Sequence, residues 1–300
     1  MYPLLPFCIF LLSIASVLPE AAGHGFVHSV LVGDQDYPGW NPFTDPYTDT
    51  PARIVRKVSS DGPIAPTDAD LACGHGGNDG TAALANIQAG SKVTFQWTNW
   101  PADHQGPVSS YMTSCNGDCT KFAANDAKWF KVDASGYDPT TKLWAADNLI
   151  ADNNSWTSTI PAALAPGQYL IRNEIIALHS IGSPQFYPSC SQIQVSGSGT
   201  GQPSDSELVT MEALYSAVSF PDIYSDFGTF TIPGPAPVTF GGSAPIASSS
   251  APPAPSKTST AIAVGQQTSA TSTPMSTTRP TGHCSLSSRR LARRRFARSH

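Results

Sequence analysis

Beyond its first 17 residues this 300-residue chain has no apolar run approaching the about 18 residues that a membrane-spanning helix needs. The one long run, residues 4–17 (LLPFCIFLLSIASV), is itself too short, and it is followed by Ala21 and Gly23 at −3 and −1 of a cut before His24. Although it lacks the usual basic start, it reads as a secretory signal peptide, so a secreted, soluble mature protein beginning at His24 is expected. Charge is also scarce, at 13% of residues. Segment 24–241 carries nine basic residues against 21 acidic ones, a formal −12. That balance excludes a nucleic-acid partner for this segment.

Cysteine is sparse enough to sort by position. Cys8 leaves with the leader and Cys284 lies near the C-terminus, which leaves Cys73, Cys115, Cys119 and Cys190. Four cysteines in an exported chain suggest two disulfides among three pairings. The three-residue gap NGD favours a local Cys115–Cys119 bridge, and Cys73 then joins Cys190. A metal site on these cysteines is disfavoured, because no second closely spaced pair exists.

Composition changes near Gly241. Segment 242–280 is rich in Ser, Thr, Pro and Ala with almost no charge, and it reads as an extended, O-glycosylated linker. Residues 281–300 hold six of the seven arginines beyond the domain, in a tail too poor in apolar residues to make a core. The tail is expected to be disordered; a polyanion or wall contact is the alternative.

Segment 24–241 falls in the single-domain range, and its patterns have period two. Val93, Phe95 and Trp97 alternate with polar residues in SKVTFQWTNW, GQYLIRNEIIALH gives a long strand, and CSQIQVSG another. Pro, Gly, Asn and Asp separate these runs, and capped helical patterns are scarce. The expected fold is all-β: an immunoglobulin-like or fibronectin-like antiparallel β-sandwich with long loops.

Two histidines stand out. His24 is the first residue after the predicted cut, where a free amine and a ring nitrogen lie a few bonds apart. His104 lies in NWPADHQGPVSSYM, a Pro- and Gly-bounded loop after the Val93–Trp97 strand. If they converge, three neutral nitrogens form a roughly T-shaped set, which favours Cu(II). A phenol such as Tyr187 suits a distant axial position. His28 alternates with the strand after His24 and is expected to satisfy a structural hydrogen bond. Trp97, Trp100 and Trp129 read as core or rim packing.

The stretches HGFVHSV, DHQGPVSSYM, IRNEIIALHS and QFYPSCSQIQVSGSG, in this order, resemble the fungal lytic polysaccharide monooxygenases of auxiliary activity family nine. The resemblance covers residues 24–235 and carries the cysteine order with it. It implies that His24 and His104 form a copper-binding histidine brace, that Tyr187 is the axial ligand, and that Gln185 is the amide hydrogen-bonded to oxygen at the metal. It implies the same two disulfides, Cys73–Cys190 and Cys115–Cys119. It implies a monomeric, copper-dependent enzyme that takes electrons from an external donor and cleaves cellulose or a related β-glucan or hemicellulose at C1 or C4, using O2 or H2O2.

One departure concerns Asn173. The family's usual histidine near the metal-bound oxygen is assigned by the resemblance to this position, where asparagine can hydrogen-bond but cannot titrate. His179, six residues on, is about 20 Å away along an ideal strand, too far to take its place. Among surface residues, Tyr224 is expected to stack on sugar, with His75 and Asn78 facing substrate and Tyr47 a weaker candidate. Asn153, in NNS, is the domain's glycosylation sequon. Hydrolysis is disfavoured: it needs two carboxylates at a defined spacing, whereas Glu174 sits mid-strand beside Arg172. A secreted copper- or polysaccharide-binding protein without turnover is the other alternative, and Asn173 is the feature that favours it.

Overall fold

The computed structural model describes residues 24–240. The leader, the linker and the basic tail, with Cys8, Cys284, His283 and His300, lie outside the described residues. One sheet contains β1 (Val27–Val32), β2 (Gln35–Pro38), β4 (Lys92–Trp97) and β9 (Ser155–Thr159), in the order β2–β1–β4–β9. The other contains β3 (Ala85–Gln88), β5 (Val108–Ser114), β6 (Phe130–Ser135), β10 (Gly167–Ala177) and β11 (Gln185–Ser196), in the order β3–β11–β10–β5–β6. Every pairing in these two sheets is antiparallel except β3 with β11, which is parallel. A short hairpin, β7 (Tyr137–Asp138) and β8 (Leu143–Trp144), two short helices, α1 (Ala145–Ala151) and α2 (Met211–Ser216), and three single 3-10 turns complete the regular structure among the described residues. The molecule is therefore the expected β-sandwich.

The alternation in β4 explains its place. Val93, Phe95 and Trp97 are buried between the sheets while Lys92, Thr94 and Gln96 point away, and each buried side chain of this kind contributes about 1.5–3 kcal/mol. β10 is buried almost throughout because it is the central strand and both its faces are covered. Ile171 and Ile175 face the inter-sheet core, whereas Leu170 and Ile176 join a second cluster under the long loops and α2. β11 begins at Gln185, earlier than the CSQIQVSG pattern indicates, because Gln185–Val195 pair residue for residue with Gly167–Ala177.

Long loops need anchors, since their backbone groups lack a sheet partner. Two fully buried arginines supply them. Arg56 donates to the carbonyls of Gly77, Asn78, Cys119 and Phe122. Arg172 donates to those of Leu71 and Ala72 while pairing with Glu174 at 2.5 Å. Both expected disulfides are present, Cys115–Cys119 and Cys73–Cys190. The second ties the loop holding His75 to β11, across 117 residues of sequence.

Candidate metal centre

His24 precedes β1, and its neighbours are pinned to the end of β4: the Phe26 amide donates to Thr98 Oγ1 at 3.2 Å, and the Thr98 amide to the Phe26 carbonyl at 2.9 Å. His104 follows the same strand through Trp100. The loop then runs back into β5, and there it continues the ladder with β10: Leu178 N–H donates to the Gln105 carbonyl at 2.8 Å and Ile176 N–H to the Pro107 carbonyl at 3.1 Å. Gly106 makes this approach feasible, because a Cβ on it would lie 1.8 Å from the Ile176 carbonyl oxygen.

These anchors bring three rings together. The centroids of His24 and His104 are 6.2 Å apart with planes at 88°, and Tyr187 lies 6.3 Å from each. His104 is buried and His24 exposed. Two imidazoles that hold one ion from opposite sides, through nitrogens about 2 Å from it, have centroids about 6 Å apart. The pair therefore fits a shared metal, and the nitrogen donors suit copper best. Tyr187 donates its hydroxyl to Gln185 Oε1 at 2.8 Å. Burial first, and then the negative Asp61 and Asp103, push the phenol above its ordinary value, so it stays a neutral donor.

His104 is held from three sides. Its carbonyl accepts from the Trp100 indole N–H at 3.0 Å, its Nδ1 faces Asp103 Oδ1 at 2.9 Å, and the His179 ring stacks on it at 3.9 Å and 24°. The bond to His104 is the main cause that keeps the Asp103 carboxyl below the ordinary carboxylate range, so Asp103 is ionised. Burial is the main cause that lowers the His179 imidazole, which favours its neutral form.

Asn173 does not belong to this centre. It is fully buried between the sheets, accepting from Trp97 Nε1 at 2.9 Å and donating to Ser110 Oγ at 3.0 Å. The register explains both this and the position of His179. Asn173 pairs with Ser110 and Ile175 with Val108; continued four residues past Ile175, that antiparallel count sets His179 opposite His104. The separation of about 20 Å along the strand thus removes Asn173 from the site, not His179. His179 and Asp103 are the residues that sequence reasoning missed. The signal for His179 lay in the pairing of GPVSSYM with IRNEIIALH, and for Asp103 in the adjacent DH dipeptide.

The expected surface residues divide. Tyr224 is 65% exposed and Tyr47 83%, so neither closes the core. His75 is partly exposed beside a groove that also includes Gly25, Phe26 and Tyr187; its Nδ1 lies 3.1 Å from Asp70 and its Nε2 3.5 Å from Asp68. Asn78 is turned inward instead. Its side-chain oxygen accepts from the amides of Ala124 and Asn125, both at 3.0 Å, which closes a loop and corrects the expectation that it faces substrate. Asn153 is exposed in the turn between α1 and β9, where it and Asn154 adopt positive φ. His28 is exposed, and its ring makes no hydrogen bond among the described residues. Trp97, Trp100 and Trp129 are buried, and so is Glu174, which Arg172 and the Tyr215 hydroxyl hold away from any substrate.

Comparison with known proteins fits this geometry. The family model of Auxiliary Activity family 9 (formerly GH61) matches residues 24–231. The AA9 family lytic polysaccharide monooxygenase B of Gloeophyllum trabeum is 44% identical over 230 residues, 71% of this chain and 90% of that protein. Its namesake from Geotrichum candidum is 38% identical over 277 residues, 89% and 75% of the two chains. The crystal structure of HiLPMO9B superposes with a TM-score of 0.66 at 38% identity, covering 72% of this chain and all of the other. A cellulose-active polysaccharide monooxygenase from M. thermophila gives a TM-score of 0.64 at 33% identity, over 72% and 99%. Members of this family are copper-dependent oxidoreductases that act on polysaccharides and need an external reductant. By sequence, by fold and by the place of its paired histidines, the chain belongs to the lytic polysaccharide monooxygenases of Auxiliary Activity family 9.

Proposed function

We propose that the mature protein begins at His24, is secreted, and oxidatively cleaves cellulose or a related β-1,4-glucan at C1 or C4. The observation that carries this is the triangle of His24, His104 and Tyr187, with separations of 6.2 and 6.3 Å. The amine and ring of His24 and Nε2 of His104 would hold one copper ion, with the Tyr187 hydroxyl beside it. The chemistry such an ion would supply, with an external reductant and O2 or H2O2, is oxidation of an unactivated C–H bond next to the glycosidic link.

The chain's own residues set the conditions for that chemistry. Tyr187, kept neutral by burial, holds the Gln185 carbonyl and so orients the remainder of that amide beside the metal. His179, not Asn173, is the further imidazole beside His24 and His104 and the group able to donate or hold a proton there. The stacking on His104 supports this role. Tyr224 and Tyr47 offer exposed rings for flat sugar faces, and His75 borders the groove beside Tyr187. A crystalline polysaccharide cannot thread into a deep cleft, and exposed His24 suits an approach from a flat surface.

The alternative, a copper-binding protein without turnover, rested on Asn173 at the metal. With Asn173 in the core, nothing favours it. The test is incubation of copper-loaded protein with amorphous cellulose and ascorbate, with products read by mass spectrometry. Oxidised oligosaccharides are expected, and their masses separate C1 from C4 attack. Tight copper binding with no oxidised product, also with H2O2, xyloglucan or xylan, would overturn the proposal.

A further inference from the structure

Of the three contacts on His104, two belong to the packing. Trp100 is buried and also abuts Tyr187 and the backbone at Gly25, where a Cβ would meet its ring at 3.1 Å. His179 is placed by the ladder between β5 and β10. The third contact is of another kind. The Asp103 side chain is 72% exposed, and His104 is its one hydrogen-bond partner among the described residues. The fold does not need it there.

A neutral imidazole carries one N–H and one lone pair, and the partner of one nitrogen decides which nitrogen is left to bind a metal. On the basis of the metal site read above, we propose that Asp103 is a positioning residue for that site. By accepting the Nδ1–H of His104, it fixes the tautomer in which Nε2 is unprotonated and turns that lone pair towards His24 and Tyr187. Loss of a carboxylate behind a metal-bound histidine typically costs about 10–100-fold in metal affinity. Solvent weakens interactions of exposed charged groups, so the lower end, about tenfold, is expected here.

The experiment uses the full mature chain from His24 as wild type, Asp103→Ala, Asp103→Asn and His104→Ala. Cu(II) affinity is measured by titration calorimetry, and the copper midpoint potential and the electron paramagnetic resonance spectrum are recorded. Asp103→Ala is expected to bind Cu(II) about tenfold more weakly. If Cu(I) binding is unchanged, that tenfold corresponds to a potential raised by about 59 mV for one electron. The side-chain oxygen of Asp103→Asn still accepts from Nδ1–H, so this variant should recover most of the affinity and the wild-type spectrum. The melting temperature should stay constant in both, because the residue is exposed. Unchanged affinity and potential in Asp103→Ala, or no recovery in Asp103→Asn, would overturn the proposal. Failure of the underlying metal site shows differently: wild type would not bind one copper per chain, or His104→Ala would bind it equally well.

Discussion

Replacing Asn173 with alanine separates a role in the core from a role at the metal. The side chain is fully buried and satisfies both the Trp97 indole N–H and the Ser110 hydroxyl. Its removal leaves the Trp97 donor without a partner, at about 1–3 kcal/mol, and opens a small void in a close-packed layer. A total of about 2–4 kcal/mol follows, or roughly 4–16 °C in melting temperature for a domain of this size. Cu(II) affinity and the copper spectrum should not change. For His179→Ala the reverse is expected: a spectrum altered by loss of the ring stacked on His104, with about 1 kcal/mol or less of stability lost because the residue is only partly buried. Calorimetric melting and paramagnetic resonance on the same two copper-loaded variants check both. An Asn173→Ala variant that melts like wild type but has an altered copper spectrum would refute the reasoning.

Other consequences follow from the same contacts. Removing the Cys73–Cys190 bridge by a double Cys→Ala change should cost about 4–5 kcal/mol, since its ends are 117 positions apart; loss of Cys115–Cys119, four apart, should cost about 2. Chemical denaturation measures both, and equal costs would contradict the account. Buried Lys131, which donates to the Pro233 carbonyl at 2.6 Å, has its pKa lowered by burial from 10.5 to about 8. Between these values the unfolded chain holds the proton and the folded one releases it, so this group's contribution to stability rises with pH from about 8 to 10.5. The rise should be absent in Lys131→Met, as pH-dependent denaturation would show. Tyr224→Ala, at a 65% exposed position, should leave stability within about 0.5 kcal/mol and weaken adsorption to cellulose by about 2–10-fold; unchanged adsorption would remove Tyr224 from the binding face.

The strands were legible because burial in a sandwich writes itself as alternation, as Val93, Phe95 and Trp97 show. The Cys115–Cys119 bridge was legible because four positions are a local distance. The paired histidines were legible as chemistry, although nothing local shows that residues 24 and 104 meet. Strand register was not legible. The run IRNEIIALH is buried on both faces as far as Leu178 and mixes polar with apolar residues, so no alternation marks which residue lies opposite His104, and Asn173 drew the role that belongs to His179. Asn78 misled for a related reason: its neighbours GHGGNDG look like an exposed loop, but its oxygen closes on the amides of Ala124 and Asn125 far away in sequence.

In the proposed site His24 acts through its own amine as well as its ring. The most direct measurement compares mature protein starting at His24 with a version carrying one extra glycine before it, each with one equivalent of copper, ascorbate and amorphous cellulose, by mass spectrometry of the soluble products. Oxidised oligosaccharides from the first and none from the second are predicted, because the extension converts the amine into an amide while leaving every ring in place. Equal product from both would contradict the claim that this terminal nitrogen holds the metal.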